Sequence, residues 1–172
     1  MKFFKMISIV FVFFGFSPYL NLAYAESKNP NEYKVLSSTN KKLSISDVQD
    51  FLIKGDNQVK NGDFEEAKQT YDKARNLSRQ LAGFYRDLNG SFKGLDARIP
   101  REMDKKGRKS IKIWAQSNAR LASLYIRKKQ PEVAVPLLVE IIRLMTPNSN
   151  EGKDAYENLL QLGFVDTTYK GF

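Results

Sequence analysis

Two amphipathic helical patterns joined by only a few residues constrain the fold of this chain more than any other feature. The first pattern ends at Val59 and the second begins at Phe64. Between them, Asn61-Gly62 suits the end of a helix, because glycine readily adopts the left-handed conformation that follows one, and Asp63 is typical of a helix N-cap. Helices joined by so short a turn pack antiparallel. The sequence therefore predicts a helical hairpin.

Small residues mark the places where the two helices of this hairpin come close. Gly55 and Ala67 leave room for the backbones to approach each other. Ser46 and Gln49 have the spacing of a capping box, which predicts that the first helix opens at Ser46. The apolar stripe of the second helix includes Tyr71.

A related pattern follows 67 residues later, which is the distance from Ala67 to Ala134. This separation is close to twice a period of ~34 residues, so the sequence predicts an array of hairpins in which one intermediate unit has drifted. A Lys-Lys-Gln-Pro turn stands at the centre of the second pattern. Its small and apolar positions are Leu121, Ala122, Tyr125, Ala134, Leu138 and Ile141.

The segment between the two patterns is predicted to be helical at both ends. Residues 81–88 continue the second helix, and Asn89-Gly90-Ser91 predicts a break. A long helix is expected from Arg101 to about Lys128. Together with the other patterns, these segments predict an all-α fold of about five to six helices.

The C-terminal part carries the most apolar pattern of the chain. We expect the helix after Pro131 to be the central one, and Pro136 to bend it because proline removes a backbone donor. A short helix capped by Asn148 or Ser149 is predicted to close the array and to end at Gly163. The folded domain is thus predicted at 45–165, followed by a frayed tail at 166–172.

These hairpins resemble the tetratricopeptide (TPR) repeat family. The resemblance rests on six residues of the first hairpin, Gly55, Gly62, Phe64, Ala67, Tyr71 and Ala74, and on the six positions named above for the second. The chain departs from the family at Asn118, where a large aromatic is usual, and near Arg79, where a proline is usual. The segments at 94–99 and 162–166 also resemble uncharacterised exported TPR-like proteins of cyanobacteria.

The family resemblance implies a function in protein binding and a groove lined by the first helix of each hairpin. The groove residues that it implies are Gln49, Leu52, Asp56, Val59, Gln116, Ala119, Ser123 and Arg127. The chain contains no histidine and no cysteine, which excludes Ser-His triads, disulfides and thiolate metal sites. We therefore expect no catalytic residues, cofactor or metal. A wall-active hydrolase would need a cleft with paired carboxylates.

A basic stripe offers an alternative function. Seven lysines and arginines lie between Arg98 and Lys112, against two acidic residues. Four of them recur at helical spacing and form the stripe of Arg101, Lys105, Arg108 and Lys112. Such a stripe binds anionic membranes or envelope polymers, or is simply a solvated helix face. Nucleic acid is not expected as a partner if the protein is exported.

Aromatic residues near the predicted break are either core or binding residues. Phe84, Tyr85 and Phe92 flank the break, and Trp114 is the sole tryptophan. Aromatics at helical spacing are usually core, whereas exposed ones are natural hot spots in a peptide groove.

The N-terminus has the pattern of a secretory signal. Lys2 and Lys5 precede an apolar run, and Ala23-Tyr24-Ala25 suits cleavage. We therefore predict a signal peptide at 1–25, with an uncleaved anchor as the alternative, and a flexible tether at 26–44. The expected protein is an exported binding or assembly module, in a periplasm or thylakoid lumen, that serves a membrane complex.

Overall fold

The computed structural model describes residues 43–170, and the predicted signal peptide lies outside the described residues. This part of the chain is all-α and contains no strand. Its five helices are α1 (Ile45–Asn61), α2 (Phe64–Ser91), α3 (Arg98–Arg127), α4 (Pro131–Met145) and α5 (Asn150–Gln161). The predicted all-α fold and the number of helices are confirmed.

Helix α1 begins earlier than the predicted capping box. Its N-cap is Ser44, whose hydroxyl oxygen accepts a hydrogen bond from the Asp47 backbone N–H at 3.2 Å, so the prediction of Ser46 as the start is wrong. Leu43 packs against the core. These two residues, assigned to the tether from the sequence, therefore belong to the helical domain, and the rest of the tether lies outside the described residues.

The turn between α1 and α2 has the predicted glycine geometry. Gly62 has a φ of 87°, and its N–H donates to the Val59 carbonyl at 3.1 Å. The N–H of Asp63 donates to the Gln58 carbonyl at 2.9 Å, which completes a Schellman motif. Asp63 occupies the N-cap position of α2, although its side chain makes no capping hydrogen bond.

The same motif closes α3. Lys129 has a φ of 57°, its N–H donates to the Ile126 carbonyl at 3.0 Å, and the Gln130 N–H donates to the Tyr125 carbonyl at 2.9 Å. Pro131 then occupies the first turn of α4, where its missing N–H is not needed. The second hairpin therefore consists of the end of α3 together with α4.

Between these hairpins, the end of α2 and the start of α3 form a helix-turn-helix pair rather than a unit with two helices of its own. Helix α2 continues without a break through Asn89-Gly90, and the chain turns only at residues 92–97. Helix α3 starts at Arg98 and accommodates Pro100 in its first turn. The intervening residues lengthen α2 and α3 instead.

This lengthening produces a two-helix arm, which we define as residues 79–112. The backbone of α2 comes close only to those of α1 and α3, and α1 is 17 residues long against 28 for α2. The second half of α2 therefore packs chiefly against α3. Near the end of the arm, the Asn89 side-chain amide donates to the Pro100 carbonyl at 2.9 Å and ties the two helices together.

Helix α3, and not α4, is the centre of the fold. Its backbone lies close to each of the other four helices, whereas the backbone of α4 lies close only to α3 and α5. Val133 and Val139 on α4 are exposed, which shows that its apolar composition does not place it at the centre. Helix α4 runs unbroken through Pro136, which lies on the surface.

The C-terminal cap matches the prediction, but the tail does not. Ser149 caps α5 by accepting from the Gly152 N–H at 2.9 Å, and Gly163, with a φ of 68°, follows its end. The tail is exposed at 166–170, yet Thr167 and Tyr169 are held by specific contacts. Tyr169 lies edge-on to Tyr156 with ring centroids 5.9 Å apart, and its hydroxyl hydrogen-bonds the Asn148 side chain. The Tyr156 hydroxyl donates to the Thr167 carbonyl at 2.7 Å.

The positions that carried the family resemblance are mostly core. Phe64 is 41% exposed, Gly62 lies in the exposed turn and Tyr125 is half-buried. The others are buried, namely Gly55, Ala67, Tyr71, Ala74, Leu121, Ala122, Ala134, Leu138 and Ile141.

Candidate functional site

Helix α3 lies between α1 and α2 on one side and α4 and α5 on the other, and contacts all four. Two adjoining cavities lie over α3. The first, of about 270 Å³, is lined by residues of α1, α2 and α3, and the second, of about 140 Å³, by residues of α3, α4 and α5. Both are lined by Ala119, Arg120 and Ser123. We call the two cavities together the groove.

The structure brings together most of the residues implied by the family resemblance. The first cavity is lined by five of the eight, Asp56, Val59, Ala119, Ser123 and Arg127. Gln116 lines the second cavity. Leu52 is only 5% exposed and belongs to the core, so its assignment to the groove surface is wrong. Gln49 is exposed on α1 but lines neither cavity.

Small side chains on α3 leave room for the groove. Ala115, Ala119 and Ala122 line the second cavity, and Ser123 lies one turn beyond Ala119. A helix that carried long side chains at these positions would fill the space between α1 and α5. In the sequence, these positions stand out only as a run of small residues, which does not by itself indicate a groove.

Asp56 is the polar centre of the first cavity. Its carboxylate accepts two hydrogen bonds from Arg120, from Nε at 2.8 Å and from Nη2 at 2.9 Å, and a third from the Tyr71 hydroxyl at 2.6 Å. These contacts join α1, α2 and α3. The parallel pair of guanidinium hydrogen bonds fixes the orientation of Arg120.

The charges of this cluster are reinforced by its contacts. Burial raises the pKa of Asp56, but the hydrogen bonds from Arg120 and Tyr71 outweigh it and lower the pKa below the usual aspartate value. Burial, followed by the hydrogen bond to Asp56, raises the pKa of the Tyr71 hydroxyl. The cluster therefore holds a carboxylate, a guanidinium and a neutral phenol at pH 7.

The two ends of the groove carry opposite charges. Arg127 lines only the first cavity, and Glu151 and Asp154 line only the second. Glu151 pairs with Lys112 at 3.1 Å. Within residues 43–170, Arg127 and Asp154 take part in no ion pair, and both are exposed. One end thus presents a cation and the other an anion.

Behind the groove, a second polar network joins α2, α3 and α4. Asn118 is fully buried, accepts a hydrogen bond from Arg75 Nε at 2.7 Å and donates to Glu140 at 2.7 Å. Arg75 also donates to Glu140 at 2.6 Å. Burial raises the pKa of Glu140, but the two hydrogen bonds outweigh burial and bring the pKa below the usual glutamate value. Asn118 therefore replaces the expected aromatic with a hydrogen-bonded centre.

Glu151 in the second cavity does not have the pKa of a glycosidase general acid. The pKa of Glu151 is lowered, first by its own backbone N–H and then by Lys112. A general acid of a glycosidase needs a raised pKa. Residues 43–170 contain no cluster of three or more acidic, histidine or cysteine residues suited to a metal ion.

The basic stripe lies on the exposed surface of α3, and half of it is paired. Arg108 pairs with Asp104 at 2.6 Å, and Lys112 pairs with Glu151. Arg101 and Lys105 take part in no ion pair within the described chain. The stripe therefore offers two unpaired cations.

The aromatic residues divide between core and surface. Tyr85 packs against the core, and it lines a third cavity of about 590 Å³ together with Trp114. Phe84 is 45% exposed, and Phe92 is half-buried. None of these aromatic residues lines the groove.

Glu65, at the start of α2, pairs with Lys128 at the end of α3. This contact links the turns of the two hairpins. Sequence reasoning missed it, and it also missed Arg120, because both contacts depend on residues more than sixty positions apart.

No helix in the described part of the chain has the length and apolarity needed to cross a bilayer. Comparisons with protein families, with curated proteins and with solved structures gave no match. The TPR resemblance therefore rests on the residues of the two hairpins and stays a prediction.

Proposed function

We propose that this protein is a non-enzymatic, TPR-like binding module whose groove holds an extended segment of another protein. The observation that carries the proposal is the continuity of the two cavities across Ala119 and Ser123. An extended peptide needs a narrow channel with anchoring groups at intervals, and small residues on α3 provide that channel. The fixed Arg120 supplies a polar group at its middle.

The charges at the ends of the groove indicate the chemistry and direction of the segment. Arg127 favours an acidic residue at one end, and Asp154 favours a basic residue at the other. Complementary charges chiefly give specificity and a preferred orientation. The expected partner therefore carries an acidic residue and a basic residue separated by small or apolar residues.

Filling the groove tests this proposal. Ala119→Trp places a large side chain at an exposed position shared by both cavities, and Gln69→Trp is the matched control on the exposed surface of α2. A photo-crosslinking residue at Ser123 should capture a discrete partner in the native organism. Ala119→Trp should abolish this capture, whereas Gln69→Trp should leave it unchanged.

Two results would contradict the proposal that the groove binds a peptide. If the Ser123 crosslink survives Ala119→Trp, or if a probe at Gln69 captures the same protein as efficiently, the groove is not the binding site. Unfolding curves of both tryptophan variants show whether a loss of capture reflects a loss of fold.

We further propose that the protein is exported, in a periplasm or thylakoid lumen, where it serves a membrane complex. The sequence pattern at 1–25 supports export. N-terminal sequencing of the native protein tests cleavage, which predicts a chain that begins at Glu26. An intact Met1 would show that the segment is retained.

A second candidate function, binding to an anionic surface, is favoured by the distribution of charge. The arm contains ten basic and four acidic residues, whereas the rest of residues 43–170 contains twelve basic and thirteen acidic residues. The arm therefore carries a net charge of +6 and the body −1. Positive charge that is confined to one projecting element favours binding to an anionic surface. Basic residues that served only for solvation would be spread over the whole protein.

A further inference from the structure

We infer that the tip of the arm enters the interface of an anionic lipid bilayer, with Leu95 as the inserted side chain. This inference rests on the second candidate function and adds the lipid class, the contacting residues and the depth of the contact. Its support comes from the tip, from an apolar stripe on α2 and from unpaired cations on the same arm.

The tip presents a leucine outward from a tied turn. Leu95 is 79% exposed, the largest exposure among the large apolar side chains of residues 43–170. Its N–H donates to the Phe92 carbonyl at 3.1 Å, and Gly94 adopts a φ of +86°. Together with the bond from Asn89 to Pro100, these contacts order the turn that carries Leu95.

An apolar stripe leads along α2 to this tip. Phe84 and Leu88 are one helical turn apart, are 45% and 44% exposed, and precede Leu95 by eleven and seven residues. The four-residue spacing of Phe84 and Leu88 keeps these two on one side of α2, and Leu95 follows in the turn beyond it. Between the two helices of the arm, in contrast, the apolar side chains of Ala82 and Met103 are buried. The arm therefore has apolar surface that its own packing does not cover.

Unpaired cations lie on the same arm. Lys93 lies in the turn, and Arg101 and Lys105 lie on the first turns of α3. All three are exposed, and within the described chain they take part in no ion pair. Apolar residues that enter the headgroup region beside lysine and arginine are the pattern of interfacial membrane binding.

The shape of the tip favours a bilayer over a protein partner or a second copy. Protein hot spots lie in well-packed pockets at the centre of an interface, whereas Leu95 projects from the end of an arm. Two arms that each carry +6 repel one another. A bilayer accepts a single projecting side chain, and its anionic headgroups match the arm's charge.

A fluorescent probe at the tip tests the inference. The chain has no cysteine, so Leu95→Cys provides a unique attachment site for an environment-sensitive fluorophore in the full-length protein. Ile53→Cys is the matched control, because Ile53 is 59% exposed on α1, away from the arm. The probes are mixed with vesicles of phosphatidylglycerol and phosphatidylcholine, or of phosphatidylcholine alone. The apolar run near the N-terminus is present in every variant and affects all of them alike.

The expected result is a severalfold rise in fluorescence with a blue shift at position 95 on anionic vesicles only, and no change at position 53. Reversing two unpaired charges, Arg101→Glu with Lys105→Glu, should remove this response. The matched reversal of two exposed lysines on the body, Lys54→Glu with Lys73→Glu, should preserve it.

Two other results overturn the inference in distinguishable ways. If sedimentation with vesicles requires anionic lipid and the arm cations but the probe at 95 stays in water, surface binding stands and insertion is wrong. If neither sedimentation nor fluorescence depends on anionic lipid, the second candidate function fails as well.

Discussion

The α1–α2 hairpin and the α3–α4 hairpin follow the same register, 67 residues apart, but their second helices end differently. Helix α4 ends at Met145, just before Pro147, and the chain turns into α5. The position equivalent to Pro147 is Gln80, and there α2 continues to Ser91. A proline removes a backbone donor and disfavours helix in the residue before it. The hairpin that has a proline at this position closes there, and the hairpin that has a glutamine continues into the arm.

The interiors of the two hairpins differ in a way that affects the groove. In the first, the Tyr71 ring lies against Gly55, and in the second the equivalent residues are Leu138 and Ala122. Tyrosine fills the same kind of space as leucine, but its hydroxyl reaches Asp56 in the groove. The first hairpin therefore contributes Asp56 and Tyr71 to the polar cluster, which Arg120 of α3 completes, whereas the second hairpin has the apolar Leu138 at the position of Tyr71.

The largest expected effect comes from placing a proline where the first hairpin lacks one. Gln80→Pro should lower the free energy of unfolding by ~3 kcal/mol, because it removes a hydrogen bond inside α2 and clashes with the preceding turn. Urea denaturation followed by circular dichroism measures it. Gln80→Ala, at the same exposed position, should be nearly neutral. A proline variant as stable as the alanine variant would mean that α2 does not run through Gln80 in solution.

The next effect tests the close contact in the first hairpin. A Cβ on Gly55 would lie 2.4 Å from Tyr71 Cε1, and the ring cannot move freely because it is buried and hydrogen-bonded. Gly55→Ala should therefore cost about 1–3 kcal/mol of unfolding free energy in thermal or chemical denaturation.

Gly83 provides the matched control for that substitution. It lies within α2 with open space around its Cα, so Gly83→Ala should stabilise the protein by roughly 0.5–1 kcal/mol. If Gly55→Ala behaves like Gly83→Ala, the contact between the two helices is looser than the structure places it.

The hairpins could be predicted from the sequence because their signals are local. Gly62 lies at the end of its helix, and the alanines at 67 and 134 share one register with their neighbours. The two helices of the arm were largely predicted as well, but the place of its turn was not, because Asn89-Gly90-Ser91 is a strong local stop signal and α2 nevertheless continues to Ser91 beside α3.

The groove was predictable on the faces of α1 and α3 but not in its chemistry. Asp56 and Ser123, which the family resemblance implies as groove residues, both line the first cavity. The bonds from Arg120 and Tyr71 to Asp56 join residues 64 and 15 positions apart, and a single sequence does not specify such pairs. The packed Tyr169 was missed for the same reason, since its partners are Tyr156 and Asn148.

A smaller effect is the pH dependence of the stability that Asp56 contributes, compared with that of Ser123, the equivalent residue of the second hairpin. The folded-state pKa of Asp56 is lowered, so its stabilising contribution is complete above the ordinary aspartate value of roughly 4 and is lost as the pH falls through the folded value. Wild type should therefore be more stable than Asp56→Asn at pH 7, by up to about 1 kcal/mol because both charged side chains are a third exposed. This difference should disappear in acid.

The counterpart of Asp56 in the second hairpin is Ser123, which has no charge to lose. The stability difference between wild type and Ser123→Ala should accordingly be the same at pH 7 and in acid. Denaturant midpoints across the pH range measure both differences. A pH-independent difference for Asp56→Asn would show that the carboxylate's charge is not what stabilises the cluster.

The smallest effect compares the two turns directly. Lys129 adopts the left-handed conformation that Gly62 adopts in the first hairpin, with φ values of 57° and 87°. A residue with a Cβ costs about 1–2 kcal/mol there, but glycine also gains freedom in the unfolded chain. Lys129→Gly should therefore stabilise the protein by only about 0.5 kcal/mol, and Lys129→Ala, which keeps the Cβ, should give no gain. Equal stability of these two variants would mean that the second turn, unlike the first, does not hold its residue in that conformation.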